Sequence, residues 1–294
     1  MLARISCVTM TLLLAACEPA ILQPEGQIGA GEKTILIDSL AIMLVIVLPT
    51  ILLVLAVAWW YRDSNPRARR HPDFVYSGRV ELVVWAIPLM TIMLLGGVTW
   101  IGAHDLDPAK PIQAKEAPLE IQGISLDWKW LFIYPDQRVA AVNQLVLPAG
   151  RPVHFSLTSA SVMNAFFVPQ LGSMIYTMNG MTSYLNLIAD HPGTYYGESS
   201  HYSGDGFSGM HFEVHAVPAS EFASWVTTTK SSGPSLDTSS FANLAKQSLN
   251  VAPFTYRNAD PDLFHDLVVQ KLPQAPGPME SGTPNASVSP QMEH

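Results

Sequence analysis

Two runs along the chain contain no charged residue. One extends from Ser39 to Tyr61, "SLAIMLVIVLPTILLVLAVAWWY", and the other from Leu82 to Ala103, "LVVWAIPLMTIMLLGGVTWIGA". Each is just over twenty residues long. At about 1.5 Å per residue, that length crosses a hydrocarbon core of about 30 Å. The alternative is two core helices of a soluble protein; a helix at the surface of such a core carries a polar stripe, and neither run shows one. Pro49 and Pro88 are tolerated in membrane helices when neighbours satisfy the freed carbonyls. Trp59, Trp60, Tyr61 and Trp100 stand near the ends, where interfacial aromatics gather. The linker holds Arg62, Arg67, Arg69, Arg70 and Arg79 against only Asp63 and Asp73. The positive-inside bias therefore makes it a cytoplasmic loop and puts both chain ends on the other side.

After His104 the period changes. "LEIQGISLDWKWLFIYP" alternates apolar and polar residues and is rich in β-branched and aromatic types. "VNQLVLPAGRPVHFSLTSA" predicts two strands joined at Pro148–Gly150, and "TSYLNLIADHPGTYYGES" two more, broken at Asp190–Gly193. "GMHFEVHAV" sets Met210, Phe212, Val214 and Ala216 on one face and His211, Glu213 and His215 on the other. Short strands with Pro/Gly turns predict a β-sandwich or Greek-key barrel. Beyond Pro218, "SEFASWVTTTK", "SFANLAKQSL" and "DPDLFHDLVVQKL" predict short helices. Their expected caps are Ser220, Ser239 or Ser240, and Asp260, with Pro261 in a first turn. From Pro273 the Pro/Ser-rich sequence predicts a disordered tail.

Composition agrees with the spans: 48% of residues are hydrophobic and only 14% charged. The net charge of −8 arises entirely after residue 103, where nine basic residues face seventeen acidic ones. An acidic domain repels phosphate backbones, so no nucleic-acid partner is expected. Both cysteines, Cys7 and Cys17, lie at the extreme N-terminus, so nothing downstream can supply a thiolate. Arg4, an apolar run through Leu14 and small residues before Cys17 have the layout of an export signal. "LLAAC" resembles a bacterial lipobox, which implies cleavage after residue 16 and lipid on Cys17. A generic signal with a chance cysteine is the other reading.

Glu81 opens the second span. It is either a carboxylate favoured by the helix dipole or a proton-collecting group at the membrane surface. His201, His211 and His215 invite a metal, but His211 and His215 stand about 13 Å apart along a strand. Solvent-facing histidines are the expectation.

Two spans followed by "WKWLFIYP", "LVLPAGRPVHFSLTSASVMNAFFVPQLG" and "GTYYGESSHYSGDGFSGMHFEV" resemble subunit II of the haem–copper terminal oxidases, over about residues 30 to 220. The resemblance implies a cupredoxin fold. Copper-bearing members hold a dinuclear centre in a loop C-x-E-x-C-G-x-x-H-x-x-M with one earlier histidine. Laid on this chain, the cysteines fall at Ser199 and Ser203, the glutamate at His201, and the histidines at Phe207 and Asn164. Only Met210 is retained as a side-chain ligand. Hydroxyls stay protonated at neutral pH and a benzene ring cannot coordinate, whereas such a centre needs bridging thiolates and imidazoles. The loop is expected to persist as a turn, with Gly204, Gly206 and Gly209 permitting positive φ.

The copper-less pattern resembles the bo-type quinol oxidases in particular. That implies a complex that oxidises ubiquinol, reduces O₂ to water and pumps protons. Haems, copper and quinol site are then expected in subunit I, no cofactor in this chain, and no cytochrome c as partner. Partners are subunit I, the other membrane subunits of that complex and membrane lipid. Glu81 matches an acid at a proton entrance. Trp128 and Trp130 match an aromatic patch and are expected to serve packing and a subunit interface. A cytochrome c oxidase subunit with a degenerate copper centre, and a stand-alone membrane lipoprotein with a ligand-binding β domain, are the competing readings. The expected organisation is a signal peptide over 1–16, an extracytoplasmic segment over 17–34, and a transmembrane helical hairpin over 35–103 with its loop at 62–79. A cupredoxin-like all-β sandwich over 104–218, a helical C-terminal extension over 219–272 and a tail over 273–294 complete it.

Overall fold

The structure, a computed structural model, describes residues 20–69 and 71–277. The expected signal peptide over 1–16, Cys17 and the residues beyond Gly277 lie outside the described residues. The chain divides into two compact units: residues 31–107 form one, and the described residues on either side form the other.

The first unit is a helical hairpin. Helix α1 (Gln27–Trp60) and helix α2 (Gly78–Asp105) both run through their prolines, Pro49 and Pro88. Both begin before the uncharged runs, because helix formation continues past the apolar stretch into polar sequence. Glu81 lies in the first turn of α2, and its N–H donates to the Ser77 carbonyl at 3.0 Å. Ser77 precedes the helix in an extended conformation without a side-chain cap bond. Gly102 packs against the tip of the Ile35 side chain, which would have to shift to admit a larger residue.

The second unit is a two-sheet sandwich. Its strands are β1 (Leu119–Leu126), β2 (Lys129–Tyr134), β3 (Val139–Val142), β4 (Gln144–Pro148) and β5 (Val153–Ser159). They continue with β6 (Asn164–Val168), β7 (Gly172–Thr177), β8 (Ser183–Leu187), β9 (Gly193–Ser199) and β10 (His211–Val217). One sheet has the order β3-β2-β1-β5-β8, the other β4-β10-β9-β6-β7. β1 and β2 are antiparallel across the two-residue turn Asp127–Trp128, whereas β1 with β5 and β4 with β10 are parallel. β10 keeps the expected alternation, with Phe212, Val214 and Ala216 buried.

β2 does not alternate between core and solvent. All six of its residues are buried. Trp130, Phe132 and Tyr134 face the inter-sheet core with Phe155, Phe166 and Phe212. Leu131 and Ile133 face a second core on the outer side of the same sheet. That second core is closed by the C-terminal extension, through Leu236, Phe241, Leu244, Phe254, Leu263 and others. An uninterrupted apolar strand is what burial on both faces requires.

The extension is more than helical. It contains α3 (Ala219–Ser231), β11 (Ser235–Leu236), α4 (Thr238–Leu244), β12 (Phe254–Tyr256), β13 (Asn258–Ala259) and α5 (Leu263–Val268). β12 joins the first sheet beside β3, pairing Phe254 with Val142. The caps differ from expectation. Pro218, not Ser220, precedes α3, and Asp262, not Asp260, precedes α5. Asp237, not Ser239 or Ser240, caps α4 and forms a capping box with Ser240, because its carboxylate reaches the N–H of Ser240, three residues on, at 2.8 Å. Residues 273–277, assigned by composition to the tail, are part of the fold. Ala275 is buried and its N–H donates to the Ala160 carbonyl at 2.9 Å. The N-terminal residues before position 31 also belong to this unit: the N–H groups of Glu25 and Gly29 donate to the carbonyls of Gln170 and Leu171.

Candidate functional site

The positions that correspond to copper ligands come together at one end of the sandwich. Asn164 opens β6, Ser199 closes β9, and Met210 immediately precedes β10. Asn164, Ser199, Ser203 and Met210 are all buried, while His201 and Phe207 are half-buried. The Ser199 hydroxyl donates to Asn164 Oδ1 at 3.0 Å, and the Ser203 hydroxyl lies 3.9 Å from Met210 Sδ. Phe207 packs edge-on against Tyr202, and His201 edge-on against Tyr176.

These groups do not fit a dinuclear copper centre. The two positions that would carry bridging thiolates hold hydroxyls, one of them engaged with an amide oxygen. The two imidazole positions hold an amide and a benzene ring, neither of which is a copper donor of that class. Among the described residues, no group of three or more His, Cys, Asp or Glu side chains could hold a metal. His211 stacks on Tyr196, and His215 Nε2 lies 3.3 Å from Glu213 Oε2 on the polar face of β10.

The loop glycines have separate reasons. Only Gly204 adopts positive φ, at 106°. Gly206 has φ of −88° and is pressed against the Trp128 indole, where a Cβ would collide. Gly209 is in close contact with the side chain of Asn250. The expectation of positive φ at all three is thus corrected at Gly206 and Gly209, which are small because neighbours approach closely.

Trp128 and Trp130, expected to serve packing and a subunit interface, are both buried within the domain and serve its packing. Their aromatic area is spent inside the domain. Trp128 sits in the β1–β2 turn with φ of 63°, and its indole N–H donates to the Ser203 carbonyl at 3.0 Å. That bond and the contact with Gly206 tie the turn to the 199–210 loop. Trp130 packs among Phe132, Phe166 and Phe212 with ring centroids 5.5 to 6.2 Å away.

Lys129 between these tryptophans is singled out by no spacing in the sequence. It is buried, and desolvation, offset partly by Asp127, lowers its ammonium pKa from 10.5 to about 8. A lysine inside an aromatic run was the available signal. Glu81 lies in the other unit, exposed on the first turn of α2.

An apolar helical hairpin followed by a cupredoxin-like sandwich, with no copper donor set at the copper positions, defines a class within the oxidase second subunits. Residues 136–217 match the family described as cytochrome c oxidase subunit II, periplasmic domain. Residues 230–270 match the COX aromatic rich motif, which lies in the extension. The chain is 45% identical over 259 residues to cytochrome bo(3) ubiquinol oxidase subunit 2 of Pseudomonas aeruginosa, covering 88% of this chain and 78% of the relative. It is 44% identical over 270 residues to ubiquinol oxidase subunit 2 of Acetobacter aceti, covering 91% and 88%. It is also similar to the crystal structure of the periplasmic domain of subunit II of cytochrome oxidase of Bradyrhizobium japonicum. That match has 26% identity and a TM-score of 0.38 over 40% of this chain and 96% of that one. The chain belongs to the ubiquinol oxidase subunit 2 family. With its two long apolar helices, it is a membrane-located subunit of an oxidoreductase complex and has partner subunits.

Proposed function

We propose that this chain is the non-catalytic second subunit of a proton-pumping ubiquinol oxidase that reduces O₂ to water. The observation that carries this reading is the donor set at positions 164 and 199–210: Asn164, Ser199, His201, Ser203 and Phe207, with Met210 alone retained. A quinol donor is delivered within the membrane, so a water-side metal relay in this sandwich has no task. The haems, the catalytic copper and the quinol site then belong to subunit I. This chain binds no cofactor and docks no cytochrome c.

In this proposal the hairpin crosses the bacterial cytoplasmic membrane with the arginine-rich link on the cytoplasmic side and the sandwich on the periplasmic side. Lipid on Cys17 adds a second attachment on that outer face. Glu81 stands at the cytoplasmic end of α2, exposed and one helical turn after Ser77. A carboxylate there gathers protons and passes them to the partner subunit.

Purification in mild detergent tests the proposal. The expected product is a complex with a haem-bearing polytopic partner, whose O₂ uptake is driven by ubiquinol and not by reduced cytochrome c. Recovery of the chain alone, or uptake driven by cytochrome c, contradicts it.

A further inference from the structure

The 199–210 loop is not held by the sandwich alone. A segment of the C-terminal extension, residues 246–251, lies against it through Trp128. The Lys129 ammonium donates to the Lys246 carbonyl at 2.8 Å, the Ser248 hydroxyl at 2.7 Å and the Asp127 carbonyl at 3.3 Å. The Asn143 side chain accepts from the Trp130 N–H and donates to the Val251 carbonyl, both at 2.8 Å. Between these two anchors, Leu249 packs beside Trp128 over Gly206, and Asn250 meets Gly209. Asn250 itself takes a left-handed conformation with φ of 53°. The other end of the same turn is tied as well: Asp127 accepts from the Ser161 hydroxyl at 2.6 Å and the Gly277 N–H at 3.0 Å. Gln247 bonds to the Gly277 carbonyl and closes the ring.

We propose that residues 246–251 form a strap that organises the 203–210 loop, with Lys129 and Asn143 as its two fasteners. Loop, Trp128 and strap make three layers, and Gly206 and Gly209 are small because the strap needs the space. The ammonium suits the role. Its three protons meet three oxygens of the turn and the strap, so no donor of the buried ammonium is left unpaired. The proposal assigns a task to the aromatic-rich extension that is independent of the electron donor, and it stands or falls separately from the quinol reading.

Hydrogen exchange on the full chain in detergent tests it, with two variants. Leu249→Ala removes the strap's apolar contact with the loop. Asn250→Gly keeps the left-handed backbone and removes only the side chain over Gly209. Both are expected to speed amide exchange across 203–210, by about tenfold for Leu249→Ala, while β5 and β8 exchange as in the wild type. If Leu249→Ala unfolds the domain, Asn250→Gly decides: faster exchange confined to the loop supports the strap. Wild-type exchange of 203–210 in Asn250→Gly, with or without a folded Leu249→Ala, overturns it.

Discussion

The hairpin and the sandwich treat the same residue type in opposite ways. Trp85 and Trp100 on α2 are 74% and 69% exposed, whereas Trp128 and Trp130 in the sandwich are 2% and 0% exposed. The hairpin helices are apolar all round and bury almost none of that surface on each other. The sandwich closes two cores, one between its sheets and one beneath the extension. Apolar surface in the hairpin is therefore addressed to lipid and partner subunits, and in the sandwich it is used for folding. Substitutions should fail in assembly in the first unit and in stability in the second.

The sharpest contrast is a pair of tryptophans. Trp130→Ala should cost about 3–5 kcal/mol in denaturant unfolding of the sandwich, the range for a fully buried aromatic. Trp85→Ala should leave that unfolding unchanged. Equal effects would break the comparison. Trp130→Phe sharpens it, because the indole N–H of Trp130 is buried without a hydrogen-bond partner. That variant loses area but also removes an unsatisfied donor, and should cost far less than Trp130→Ala.

Next in size is Glu81→Ala. An assembled complex with quinol-driven O₂ uptake slowed by about tenfold is expected, with sandwich unfolding unaltered. Unchanged turnover and pumping would reduce Glu81 to a first-turn carboxylate.

Lys129 gives a smaller, pH-dependent effect. The unfolded lysine keeps its proton to about 10.5, and the folded one loses it at about 8. Between these values the unfolded state binds more protons, so this residue makes the fold more stable as pH rises. Its burial penalty is full below pH 8 and vanishes above 10.5. Wild-type stability should therefore gain on that of Lys129→Met between pH 8 and 10, by no more than about 1.4 kcal/mol per pH unit. A flat difference would contradict the buried ammonium.

The smallest effect lies at the surface. Asp237 is held down to about 2, first by the Ser240 backbone N–H and then by the hydroxyls of Ser239 and Ser240. Its cap is fully present above the ordinary carboxylate value of 3.8 and is lost as pH falls through about 2. Exchange protection of α4 should fall across that window in the wild type, and Asp237→Asn should lack the step.

The two units also differ in how much of them the sequence reveals. The hairpin is legible because its signal is local: two uncharged runs of membrane-spanning length. β10 is legible because its alternation is also its burial pattern. β2 is not, since the cover on its second face comes from Phe241, Leu244 and Phe254, more than a hundred residues later. The positions at the candidate site could be read from loop spacing, but their physical reasons could not. Gly206 and Gly209 look like turn glycines until Trp128 and Asn250 are seen against them. Trp128 and Trp130 match an aromatic patch in sequence, and only the structure shows that both are spent inside the domain. Lys129 and the strap it fastens depend on contacts across 117 and 119 residues, for which no short motif exists.

The central claim is that this sandwich carries no electron relay, and metal analysis of the full chain purified in detergent tests it most directly. After exposure to copper and removal of excess, the account predicts no stoichiometric copper and no near-infrared absorption. A bound, redox-active copper pair in this chain would contradict it.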